Sequence, residues 1–226
     1  MSKQTITITT DFGDGFATSQ LHAVVADLGF DGRLIENHNV KPYSIIEGAY
    51  GIWQLAKFCP VGTIHVGIVD PGVGSDRAGI VIKTKKFWWV GPDNGLLYPA
   101  ASVDGIEQIW KLNNFANVSN TFHGRDVFIK QAVYLAQGGA PRGEEIGEIE
   151  KLRFEEGQIL HIDSYGNAKV WGKKTFGLPV VRTFSDVSVG EPLILNGSSD
   201  TLEIAINQGN AAEYFGLKLG EVIERL

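Results

Sequence analysis

An α/β domain followed by a small all-β, barrel-like domain is the fold class that the 226-residue sequence predicts. Three observations predict it. β-Branched and apolar runs alternate with helical spacings through the first two-thirds of the chain. A charged stretch, G-E-E-I-G-E-I-E-K-L-R-F-E-E-G at 143–157, then breaks the pattern. Short apolar runs punctuated by Gly, Asn and Pro follow it, as in a small barrel or sandwich. The predicted boundaries are 1–150 for the α/β domain, with a central, mostly parallel sheet flanked by helices, and 151–226 for the β domain.

Each element has its own signal. Thr5–Thr9 is a β-branched run that suits a buried strand. Phe16–Leu28 has helical spacing, and Arg33–Glu36 is a short strand. Pro42 suits the first turn of a helix that continues through Ile45–Phe58 and stops at Pro60. Thr63–Val69, Gly79–Thr84 and Phe87–Val90 are strands, and Phe122–Leu135 is helical up to Gly138-Gly139. Beyond the charged connector, strands are expected at Gln158–Asp163, Ala168–Trp171, Val180–Phe184, Pro192–Leu195, Thr201–Ile206 and Glu221–Glu224.

Composition excludes several classes of function. A net charge of −6 and the absence of any basic stripe argue against nucleic-acid binding through bulk electrostatics. No run reaches the ~18 apolar residues that a membrane helix needs, and the opening M-S-K-Q-T-I-T-I has no signal core. A lone cysteine, Cys59, cannot form an intrachain disulfide. A reducing cytoplasm is the expected location.

Open α/β sheets bind ligands beyond the carboxyl ends of their strands, and three segments place polar groups there. T-T-D-F-G-D-G gives Asp11 and Asp14 in a Gly-flanked loop. I-V-D-P-G-V-G-S-D-R, 68–77, gives Asp70 and Arg77. T-F-H-G-R-D-V-F, 121–128, gives His123, Arg125 and Asp126. Asp11 has a competing reading as the cap of the helix that follows, and Asp126 as a first-turn carboxylate with Arg125 its exposed neighbour. Asp70 fits no such role. Pro71 forces the aspartate into extended backbone, and the glycines at 72 and 74 permit a tight turn. Asp70 could accept a proton or orient water, with Arg77 and His123 tuning its charge. Asp11, Asp14, Asp70 and His123 could alternatively hold a divalent ion. However, no H-x-H, H-E-x-x-H or C-x-x-C spacing accompanies them, and Arg77 would oppose a cation. No metal and no cofactor is expected.

Taken together, T-D-F-G (10–13), P-Y-S-I-I-E-G-A (42–49), G-T-I-H-V-x-x-V-D-P-G-V-G-S-x-R (62–77), G-P-D-N-G-L-L (91–97) and T-F-H-G-R-D-V-F (121–128) resemble the S-adenosyl-L-methionine hydroxide adenosyltransferases, relatives of the fluorinase and chlorinase. I-D-S-Y-G-N (162–167) and L-E-I-A-I-N-Q-G-N-A-A (202–212) extend the resemblance into the second domain. It implies that S-adenosyl-L-methionine is the substrate, hydrolysed to adenosine and L-methionine by attack of water or hydroxide on the ribose 5′ carbon. The family's Asp-Arg-His triad falls on Asp70, Arg77 and His123, which the residues themselves had already grouped. By the same resemblance Asp11 would hold the ribose hydroxyls, Tyr43 would line the pocket, and Phe122 and the Gly124 backbone would flank the ribose and sulfonium. Asp163, Tyr165, Asn167, Phe184 and Asn207 would contact methionine and adenine from the second domain. The resemblance further implies a homotrimer with its sites at subunit interfaces.

Two other functions remain open at this level. The halogenases carry a non-acidic residue where Asp70 stands. A carboxylate ~4 Å from a halide would oppose it by about 4 kcal/mol at an effective dielectric near 20, so water is favoured as nucleophile. A protein that binds or senses an adenosyl ligand without turnover is the second. The sequence departs from its relatives after T-D-F-G, where F-A-T-S-Q-L-H-A stands, and after G-N, where A-K-V-W-G stands. For Asp163 and Asn167 a simple hairpin turn is the competing role.

Overall fold

Thr5–Thr10 forms β1, buried along its whole length, and its side chains alternate between two helical layers. The computed structural model describes residues 3–113, 118–197 and 201–226. After β1 come α1 (Phe16–Asp27), β2 (Arg33–Asn37), α2 (Ile45–Ala56), β3 (Ile64–Ile68), β4 (Gly79–Thr84) and β5 (Trp88–Pro92). Then follow α3 (Tyr98–Asp104), β6 (Ile106–Leu112), α4 (Ile129–Ala136) and β7 (Gly143–Glu145). These seven strands make one sheet in the order β2-β1-β3-β5-β4-β6-β7. The pairings β1–β2, β1–β3 and β3–β5 are parallel, whereas β4–β5, β4–β6 and β6–β7 are antiparallel. The sheet is therefore mixed, and the expectation of a mostly parallel one holds only for its β2-β1-β3-β5 half.

Period-two alternation gives each face its partner. Ile6 and Ile8 of β1 and Ile64, Val66 and Ile68 of β3 pack with Leu21 and Val25 of α1 and Ile129 and Val133 of α4. A fully buried isoleucine stabilises by about 1.5–3 kcal/mol, so this layer is the main hydrophobic anchor. On the other face a Cβ at Gly67 would press on Ile52 of α2 and on Leu96 and Leu97, so glycine lets that layer approach β3 closely. Ser44 caps α2 by accepting the Glu47 N–H at 3.3 Å.

Several elements differ from sequence expectation. α3 and β6 arise from a stretch with no clear period: only Ile109 and Leu112 of β6 are buried, so its pattern is too weak to stand out. β7 lies within the charged connector, an exposed Gly-Glu-Glu edge strand of the kind that like charges protect from further pairing. The predicted 122–135 helix begins with a π-helical turn, Gly124–Phe128, before α4.

The chain divides into two compact units, residues 1–152 and 153–226. The second contains β8 (Ile159–Ile162), β9 (Ala168–Trp171), β10 (Val180–Val181), β11 (Pro192–Asn196), β12 (Thr201–Ile206) and α5 (Ala211–Phe215). Its sheet order is β10-β11-β12-β9-β8. Among the described residues the end strands β10 and β8 do not pair with each other, so the strand ladder is open where a barrel would close. Residues 221–224, expected as a strand, contribute a single bridge between Val222 and Gln158. The core is Ile159, Val170, Ile194 and Ile204. The helix α5 was not anticipated; Asn210 caps it by accepting the Glu213 N–H at 3.0 Å.

Candidate active site

β3 delivers Asp70 to the end of the sheet. Val69 is fully buried, and past it the chain turns, the Val73 N–H donating to the Asp70 carbonyl at 3.2 Å. The Ser75 N–H and hydroxyl both donate to the Gly72 carbonyl, at 3.1 and 2.7 Å. Gly74 has φ +80°, and a Cβ there would collide with the Asn120 carbonyl oxygen. Only glycine suits both conditions, and the close approach sets this turn against the segment leading into His123. From the other side, the Asn94 side chain donates to the Val69 carbonyl at 3.0 Å.

Arg77 joins the two segments. Its Nη2 donates to Asp70 Oδ2 in a short ion pair and to His123 Nδ1 at 3.2 Å. Its Nη1 is anchored on the Ala78 carbonyl at 2.8 Å. The Arg77 and Asp70 side chains are only 8% and 6% exposed, and His123 is buried. A guanidinium offers donors alone, so the His123 Nδ1 facing it is the acceptor, and the imidazole is neutral with its proton on Nε2. Burial and the Arg77 charge both push the His123 pKa below its ordinary range, in agreement with that state. Burial pushes the Asp70 carboxyl up, and Arg77, together with the Gly72 N–H, opposes the rise. Asp70 Oδ1 and Arg77 Nε are buried and have no hydrogen-bond partner among the described residues.

A cavity of about 370 Å³ opens beside this group, lined by Asp11, Tyr43, Asp70, Phe122, His123 and Gly124, with Phe12, Pro42, Val73 and Thr121 among its other walls. Asp11 is not a helix cap: α1 begins at Phe16, and its N-cap is Gly15, with no side-chain cap bond. Its Oδ2 instead accepts the Tyr43 N–H at 2.8 Å. Tyr43 is 75% exposed and has φ +66°, a left-handed conformation that a tyrosine rarely adopts and that concentrates at functional sites. Gly124 starts the π-helical turn, and a Cβ there would lie 2.6 Å from Ile68 Cγ2, so glycine seats this turn against the end of β3. Single π-turns inside α-helices are frequent at functional sites. Phe122 meets Phe12 edge-on with centroids 5.5 Å apart, and the Arg125 guanidinium lies 4.7 Å from its ring centroid. One of its faces is therefore already taken by a cation. Arg125 also pairs with Asp126 through two bonds of 2.7 and 2.8 Å. That pair braces the turn, and Asp126 accepts the Ser119 N–H at 3.0 Å.

The second unit holds a cavity of about 710 Å³, lined by Asp163, Tyr165, Asn167, Phe184 and Asn207, with Glu203 and Gln208 among the other walls. Asp163 also builds the β8–β9 turn, its Oδ1 accepting the Tyr165 and Asn167 N–H groups at 2.9 and 3.0 Å. Asn207 is buried and donates to the Val187 carbonyl at 2.9 Å. Tyr165 is 77% and Phe184 39% exposed. The residues that the family resemblance assigns to the site thus fall at one of two cavities, one per unit, except Arg77, which stands behind Asp70; Asp14, Arg125 and Asp126 line neither. Phe12, Asn94 and Glu203 escaped sequence reasoning. Phe12 lay inside the D-F-G stretch and Asn94 inside P-D-N-G, but neither carries a group whose chemistry stands out. The group Asp11, Asp14, Asp70 and His123 is not gathered as a metal cluster. Among the described residues the only set of three such side chains with ligand atoms within 4.8 Å of one another is His22, Glu36 and His38. No helix among them is long and apolar enough to cross a membrane.

Comparison with known proteins adds to this geometry. Residues 6–147 match the family model described as SAM hydroxide adenosyltransferase N-terminal domain, and residues 168–224 match the corresponding C-terminal domain. A protein of Salinispora tropica named (R)-S-adenosyl-L-methionine hydrolase is 32% identical, over 96% of this chain and 95% of the relative. One of the same name from Methanocaldococcus jannaschii is 36% identical over 72% of this chain, which spans 64% of that relative's length. A fluorinase of Actinoplanes sp. is 24% identical over 81% of this chain and 84% of its own. Among solved structures, an uncharacterized conserved protein from Thermotoga maritima superposes with a TM-score of 0.87 at 28% identity, covering 95% of this chain and 97% of that one.

Proposed function

The chain belongs to the SAM hydroxide adenosyltransferase family, and on that premise we propose that it hydrolyses S-adenosyl-L-methionine to adenosine and L-methionine. The observation that carries this is the buried Asp70–Arg77–His123 group at the wall of a cavity that Asp11 also lines. Asp70 accepts a hydrogen bond from water and aims its oxygen at the ribose 5′ carbon. The new C5′–O bond forms as the C5′–S bond breaks, and its electron pair returns to sulfur, giving the neutral thioether of methionine. One water proton leaves, through Asp70, to solvent. Arg77 keeps Asp70 ionised in its buried setting, and neutral His123 offers Nε2–H as a donor beside the nucleophile. Asp11 accepts from the ribose hydroxyls, a task for a two-oxygen acceptor. No step calls on a metal or a cofactor.

The cavity of the second unit, with Asp163, Tyr165, Asn167, Phe184 and Asn207, supplies methionine and adenine contacts in this scheme. Its partner is a neighbouring subunit of a homotrimer, and light scattering of the purified protein tests that assembly. The one-cysteine composition supports a cytoplasmic setting.

Water rather than halide is the nucleophile because Asp70 is negative and buried. Incubation with S-adenosyl-L-methionine, with and without chloride, followed by chromatography of the products tests this. Adenosine and methionine in amounts that chloride does not alter are expected. A halogenated deoxyadenosine would assign the chain to halogenation, and binding without product would make it a sensor.

A further inference from the structure

Away from the cavity of the first unit, two imidazoles converge on one carboxylate. His22 sits on α1, Glu36 on β2, and His38 just past the end of β2. His22 Nε2 lies 2.7 Å from Glu36 Oε1, and His38 Nε2 lies 3.3 Å from the same oxygen. The three ligand atoms are all within 4.8 Å of one another. Around a tetrahedral zinc-type ion, with bonds of about 2.0–2.2 Å, ligand atoms stand about 3.4 Å apart. The cluster needs only small side-chain adjustments to reach that spacing.

A second feature matches how metal-binding histidines are built. His38 Nδ1 is hydrogen-bonded to the Thr10 hydroxyl at 2.9 Å, and Thr10 is fully buried at the end of β1. A partner on the far ring nitrogen is what orients a ligating imidazole, and here it turns Nε2 toward Glu36. The His38 side chain is 9% exposed and that of His22 49%, so one side is fixed in the fold and the other reachable from solvent.

We propose that His22, Glu36 and His38 bind one divalent transition ion of the zinc class, with the fourth position open to water. Two imidazole nitrogens and one carboxylate oxygen favour such an ion over Mg²⁺ or Ca²⁺, which take oxygen ligands. The ion would brace the fold rather than act in hydrolysis. The Gly13 N–H donates to the His38 carbonyl at 2.8 Å and the Val40 N–H to the Thr10 carbonyl at 3.3 Å. Joining α1 to His38 therefore steadies the loop that carries Asp11.

Titration calorimetry with Zn²⁺ on the tag-free full chain tests the site, backed by the visible spectrum of bound Co²⁺. One ion per chain and a tetrahedral Co²⁺ spectrum are expected, with Mg²⁺ not competing. His22→Ala and Glu36→Gln, both at exposed positions, should each weaken Zn²⁺ binding by ~10- to 100-fold or more. Zn²⁺ should also raise the melting temperature of the native chain and not that of His22→Ala. Absence of stoichiometric binding, or binding that neither substitution changes, would overturn the assignment.

Discussion

Arg77 and His123 meet at 3.2 Å between Nη2 and Nδ1, so a permanent cation donates to an imidazole nitrogen. The same Nη2 holds the Asp70 carboxylate. One guanidinium nitrogen thereby fixes the charge of one neighbour and the tautomer of the other. The division of labour is unequal: burial raises the Asp70 pKa against the pull of Arg77, whereas burial and Arg77 together lower that of His123.

Asp70→Asn keeps the shape and removes the proton acceptor. Turnover of S-adenosyl-L-methionine should fall by ~10² to 10⁴, the usual contribution of a positioned base, while substrate affinity by calorimetry stays within a few-fold. Turnover close to that of the native chain would remove Asp70 from the chemistry.

Arg77→Met makes a prediction about pH. Burial raises the Asp70 pKa and Arg77 lowers it, the first effect being the larger. The acid limb of kcat/KM should therefore lie above the ordinary aspartate value of about 3.9 in the native chain. In the variant it should move to still higher pH, because the opposing charge is gone. An acid limb that stays in place, or moves down, contradicts the pairing.

Asp11→Asn should raise KM and the dissociation constant about tenfold or more, the cost of a charge-assisted hydrogen bond being about 1.5–3 kcal/mol. The kcat should change less, since the group binds ribose and does not touch the reacting bond. The Tyr43 N–H retains an oxygen acceptor in this variant, so the loop holds. An unaltered KM would leave Asp11 with a purely local role.

His65 offers a test of stability. It is fully buried, stacked on Trp89 with centroids 4.5 Å apart, and bonded through Nδ1 to Thr7 at 2.8 Å. Burial pushes its pKa from 6.5 down to about 3. Above pH 6.5 both folded and unfolded chains are neutral here. Below it the unfolded chain takes the proton first, so stability from this group is lost as pH falls from 6.5 toward about 3. The slope should approach ~1.4 kcal/mol per pH unit in that window. Denaturant melts at stepped pH should show a flatter dependence for His65→Gln, and an unchanged slope would contradict it.

Much of this was legible in the sequence, for reasons that differ from residue to residue. Asp70 stood out because Pro and Gly punctuate the end of a strand, and strand ends are where open α/β sheets place ligands. Asp11 is ambiguous in sequence between capping and binding; the structure decides, because α1 is capped at Gly15 with no side-chain bond. The stretch 98–112 was silent because β6 buries only two of its seven residues, too few to show a period. The π-turn at Gly124 could not be foreseen: it answers to the contact with Ile68, which lies far away in sequence. The resemblance sets Phe122 beside the sulfonium, yet Arg125, three residues on, already occupies one side of its ring. The meeting of His22 with Glu36 and His38 likewise depends on where α1 crosses β2, which no spacing encodes.

The most direct test of the central claim is turnover of S-adenosyl-L-methionine in ¹⁸O-water, with the products analysed by mass spectrometry. The heavy oxygen should appear in the 5′-hydroxyl of adenosine, and methionine should carry none. Adenosine without the label, or label in methionine, would show that water does not attack the ribose 5′ carbon and would contradict the role given to Asp70.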